Sequence, residues 1–61
     1  MATTTARGML TVDIVGSNEG GETRRIGAGS VVEILARSGD LYTVRREGFT
    51  GVVRFYDLLP L

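Results

Sequence analysis

The run Leu41-Tyr42-Thr43-Val44-Arg45-Arg46-Glu47-Gly48-Phe49-Thr50-Gly51-Val52-Val53-Arg54 decides the fold of this chain. Tyr42, Val44 and Arg46 recur at every second position, the spacing of side chains on one face of a strand. Glu47-Gly48 then supplies a tight turn, and Phe49 to Arg54 resumes as a strand antiparallel to the first. Gly48 suits a positive-φ turn position, and Gly51 suits a bulge or a close backbone approach that bends the strand.

Working towards the N-terminus, Ser38-Gly39-Asp40 is a turn, and two readings compete for residues 30–38. Ser30 with Glu33 fits a capping box that opens a two-turn helix ended by Gly39. Against the helix, β-branched residues crowd its first turn, and so short a helix depends almost wholly on packing, so a strand is preferred. In that strand Val32 and Ile34 fill one face while Val31 and Leu35 occupy the other, which makes both faces apolar.

Gly27-Ala28-Gly29 is a second turn, and Gly16 to Glu22 is an uninterrupted polar and glycine loop. Leu10, Val12 and Ile14 alternate with Thr11 and Asp13 as the first strand. Met1 to Gly8, threonine-rich and aperiodic, reads as a loose arm, which leaves one domain over residues 9–61. At the other end Phe55-Tyr56-Asp57-Leu58 suits a single 3₁₀ turn before Leu59-Pro60-Leu61. Short strands with glycine-marked turns predict a small all-β barrel or sandwich.

Composition limits what such a domain does. The 61 residues contain neither cysteine nor histidine, which removes disulfides, thiolate chemistry, the usual zinc ligand sets and histidine-based catalysis. Ser17, Ser30 and Ser38 have no histidine or lysine base beside them in the sequence. Nothing in the spacing of Asp13, Asp40 and Asp57 brings them together as catalytic carboxylates. No catalytic residue, metal site or cofactor is expected, and no small-molecule substrate. No segment has the apolar length of a signal peptide or a membrane helix, so the chain reads as cytoplasmic and away from membranes.

Seven arginines balance seven acids, with no lysine. The balance is uneven: residues 24–54 carry six arginines against Glu33, Asp40 and Glu47, a local excess suited to an anionic partner. A domain this small hides only about 60% of its unfolded surface, so its core is minimal and a partner surface would add stability.

The succession Gly29-Ser30-Val31-Val32-Glu33-Ile34-Leu35, Gly39-Asp40-Leu41-Tyr42-Thr43-Val44, Gly48-Phe49-Thr50-Gly51-Val52-Val53 and then Leu58 resembles the bacterial SH3-like (Src-homology-3-type) barrel domains. The resemblance covers about two thirds of the chain and rests on glycine and apolar spacing. It implies an all-β barrel of about five strands, with Val32, Ile34, Val44, Val53 and Leu58 inside. Many such domains bind peptides or cell-wall glycopeptides in an aromatic groove. Here Tyr42 and Val52 stand where the family often has tryptophan, and the acidic loop residues Glu19 and Glu22 have no aromatic beside them.

Two binding surfaces are candidates. The first engages a protein partner, or a second copy of the chain, through Val31, Leu35, Tyr42, Tyr56, Leu59 and Leu61, in the manner of an adaptor, a complex subunit or an inhibitor. The second, an alternative, binds nucleic acid through Arg24, Arg45, Arg54 and Phe55. Cell-wall binding applies if the chain is exported.

Overall fold

The computed structural model describes residues 6–61, so Met1 to Thr5 of the expected arm lie outside the described residues. The domain is all-β. Its seven strands are β1 (Arg7–Leu10), β2 (Ile14–Ser17), β3 (Thr23–Ile26), β4 (Val31–Ser38), β5 (Leu41–Arg46), β6 (Phe49–Arg54) and β7 (Leu58–Pro60), with a 3₁₀ turn at Phe55–Asp57. They form one antiparallel sheet in the order β3-β2-β6-β5-β4-β1-β7, whose ladder does not close.

The hairpins follow their turn residues. Arg46 lies opposite Phe49, and the two residues between them, Glu47 and Gly48, both have positive φ, 51° and 86°. That is the backbone of a type I′ turn, whose twist matches that of the strands it joins. Between β4 and β5, Gly39 alone has positive φ, at 59°, as a type II′ turn requires at its first central position. Residues 30–38 contain the expected strand: Val31–Ser38 pairs with β5 from Glu33 to Ser38, and a bulge between Ile34 and Ala36 displaces Leu35 from the ladder. The single 3₁₀ turn also lies where the sequence puts it.

The N-terminal third differs from its reading. Leu10, Val12 and Ile14 do not share one strand: the chain bends at residues 11–13 and β1 and β2 lie in different parts of the sheet. The bend is fixed from a distance, since Thr11 N–H donates to Asp57 C=O at 2.9 Å and Asp13 Oδ1 accepts from Ala28 N–H at 2.7 Å. Arg7 and Gly8, expected in the arm, are strand residues opposite Glu33 and Val32. Gly16 and Ser17, expected in the polar loop, complete β2, and Thr23–Ile26 returns beside it as β3. Splitting the first strand and pairing the segments before and after it raises the strand count from about five to seven.

One face supplies the core. Leu10, Ile26, Val32, Val44, Val53 and Leu58 are buried in a single cluster, with Ile14, Ile34, Tyr42 and Phe49 packed around it. Ile26 is on one edge strand and Leu58 on the other, so the sheet curls until its two ends share one interior. Ile34, expected inside, is half-buried at the margin.

Two close approaches permit the curl. A Cβ on Gly51 would stand 3.1 Å from both Ile14 Cδ1 and the Val15 carbonyl oxygen, so β2 crosses β6 where no side chain intervenes. A Cβ on Gly8 would stand 2.8 Å from Leu58 Cγ, so the Leu58 side chain lies over bare backbone of β1. Each buried aliphatic contributes about 1.5–3 kcal/mol, comparable with the few kcal/mol net stability of a domain this small.

Candidate partner-binding surface

Strand register assembles an apolar row on the outward face. Met9 lies directly opposite Val31 on one side and Leu59 on the other. Paired residues point to the same side of a sheet, and their neighbours Val32, Leu10 and Leu58 are buried, so Val31, Met9 and Leu59 project outward together. Leu61 N–H donates to Arg7 C=O at 2.9 Å, which continues the β1–β7 pairing by one residue and returns Leu61 to that same side. Val31 is 38% exposed, Leu59 49% and Leu61 73%, whereas Met9 is half-buried between its neighbours.

The edge beside this row offers little backbone for pairing. Because Leu61 N–H points to β1, the nitrogen of Pro60 is on the free side of β7, where it has no hydrogen to donate. This edge therefore presents side chains more than backbone donors for an added strand.

The other expected protein-contact residues are distributed differently. Leu35 is exposed on the β4 bulge, separated from Val31 along the strand by Glu33. Tyr42 lies opposite the buried Val53, hence on the inner side; it is half-buried at the margin of the core, with the Arg37 guanidinium 5.7 Å from its ring centre. Tyr56 is in the 3₁₀ turn, its ring edge-on to Phe55 at 5.3 Å. The structure thus brings Val31, Leu59 and Leu61 together and leaves Leu35, Tyr42 and Tyr56 apart from them. Met9, which sequence reasoning omitted, links the row. Only the pairing of β1 with both β4 and β7 reveals it, because the residue sits at the end of a stretch with no periodicity.

The four expected nucleic-acid contacts do not converge. Arg24 Nη1 donates to Glu47 Oε2 at 3.1 Å, and its guanidinium lies 4.7 Å from the Phe49 ring centre. Arg45 Nη2 donates to Glu33 Oε2 at 3.0 Å, beside an open groove of about 600 Å³ lined by Ser17, Asn18, Glu19 and Thr50. Arg54 and Phe55 belong to a third place, where Arg54 Nη1 donates to the Tyr56 hydroxyl at 2.7 Å. That hydrogen bond, reinforced by the charge interaction with Tyr56, raises the Arg54 pKa above the ordinary guanidinium value. Carboxylates thus neutralise Arg24 and Arg45, and Arg54 is turned onto its own aromatic neighbour.

Among the described residues no group of three or more acidic side chains is placed to hold a metal ion, and no helix is long and apolar enough to cross a membrane. No family model matches the chain, and comparisons with curated proteins and with solved structures find no significant match.

Proposed function

We propose that this chain is a non-catalytic binding module with an SH3-like barrel, acting in the cytoplasm as an adaptor, a complex subunit or an inhibitor of a larger protein assembly. Support for the fold reading comes from the order of its parts. A two-stranded excursion, β2 and β3, separates β1 from a β4-β5-β6 meander, and a 3₁₀ turn then leads into a last strand that returns to pair with the first. Fold of this kind does not dictate activity, so the function rests on the surface.

One observation carries the function: Val31, Met9 and Leu59 form a contiguous cross-strand row, extended by Leu61, on the outward face. Contiguous exposed apolar groups rimmed by charge suit a protein interface. Arg24, Arg45 and Arg54 lie in three separate places, the first two paired with carboxylates, which suits nucleic acid less well because phosphate binding draws on several free cations along one track.

The test is capture from native lysate on the tagged chain, split into nuclease-treated and untreated halves and washed at rising salt. The reading predicts a defined protein retained after nuclease and only modestly weakened by salt. Recovery of nucleic acid, with all protein capture lost on nuclease treatment and steeply with salt, would replace it with the arginine-based alternative.

A further inference from the structure

Arg24, Arg25 and Arg46 converge on a small cleft of about 70 Å³ between β3 and the β5–β6 turn, bordered by Gly27, Ser30 and Glu47. Glu47 pairs with Arg24 there, and Arg25 leans away to Asp13, its Nε 3.9 Å from Oδ2. Two of the three arginines are already held in place. Arg24 is fixed by its hydrogen bond to Glu47 and by stacking on Phe49, and Arg46 Nη1 donates to the Val31 carbonyl at 2.7 Å. Among the described residues no carboxylate forms an ion pair with Arg46. A guanidinium carries five N–H donors, so each held group keeps several for a ligand and loses little freedom on binding one.

We infer that this cleft binds one anionic oxygen group, a carboxylate presented by the partner protein. The cleft is small and bordered by cationic side chains, which suits a compact anion such as a carboxylate. Planar guanidinium groups bind carboxylates through paired hydrogen bonds, and the Ser30 hydroxyl beside them adds a further donor. The whole chain has no net charge, which favours one isolated anion over a polyanion. Val31 joins this cleft to the apolar row: its carbonyl holds Arg46 while its side chain ends the row. The matching partner surface places an aspartate or glutamate beside apolar residues. The source of the carboxylate rests on the protein-binding reading; the affinity of the cleft does not.

The test is a titration of the full chain, followed by ¹H–¹⁵N spectra that include the arginine Nε–H signals. N-acetylaspartate, inorganic phosphate and oligothymidylate are the probes, at ionic strength held constant with sodium chloride. Saturable shifts at Arg24, Arg46, Gly27 and Ser30 are expected with N-acetylaspartate. Arg46→Gln should weaken them about tenfold. Glu47→Gln, which removes the competing carboxylate, should tighten them about threefold, a gain that a misfolded variant would not show. Arg37→Gln, at the Tyr42 margin, should change nothing. Shifts reproduced by chloride alone, or unaltered by both Arg46→Gln and Glu47→Gln, would overturn the site. Saturation by oligothymidylate without saturation by N-acetylaspartate would overturn the carboxylate. An intact titration beside a chain that captures no protein from lysate would overturn the partner as its source.

Discussion

The β5–β6 ladder is continuous, every residue from Leu41 to Arg46 facing one of Phe49–Arg54, whereas the β2–β3 hairpin joins the rest of the sheet at Ser17 and Thr50 alone. The first region is held by backbone pairing that any strand-forming sequence supplies. The second is held by side chains laid across glycine: Ile14 over Gly51, and Ile26 beside Gly16, where an added Cβ would stand 3.1 Å from Ile26 Cδ1 and 3.2 Å from Phe49 Cβ. Docking of the hairpin therefore depends on particular residues, and it is the region most easily detached from the core.

Gly51→Val tests that dependence most severely. Its new side chain meets backbone as well as Ile14, so a loss of about 3 kcal/mol or more is expected, enough to abolish the dispersed NMR spectrum. A folded variant would mean that β2 does not cross β6 as described. Val44→Ala removes a fully buried side chain from the centre of the continuous region. A cost of about 2 kcal/mol by urea denaturation is expected, with no selective release of β2–β3.

Gly8→Ala sharpens the comparison at the other edge, where the new methyl meets Leu58. About 1–2 kcal/mol should be lost, with faster amide exchange concentrated in β1 and β7. Arg24→Gln breaks an exposed ion pair with side chains 56% and 65% accessible, so urea denaturation should change by less than about 1 kcal/mol.

The same contrast explains what could be read from the sequence. Alternation and glycine punctuation in residues 38–54 report local pairing, so both hairpin turns were legible. The β-branched residues within 31–36 favour a strand over a short helix, and the resemblance puts Val32, Val44 and Val53 inside. The break after Leu10 was not, because Leu10, Val12 and Ile14 keep a strand period across a bend that distant groups impose, Asp57 on Thr11 and Ala28 on Asp13. β3 was missed for a related reason. Thr23-Arg24-Arg25-Ile26 has no alternation, and β2 with the inward Ile26 selects its conformation. Val31, Leu59 and Leu61 were recognisable as surplus apolar residues, but their assembly through Met9 required the register.

Capture by the surface variant Met9→Glu/Leu59→Glu, compared with the unaltered chain after nuclease treatment, tests the central claim most directly, with circular dichroism and NMR dispersion recorded to establish that the variant folds. The account predicts a folded variant that no longer retains its protein partner. A folded variant that retains the same partner at undiminished yield would contradict it.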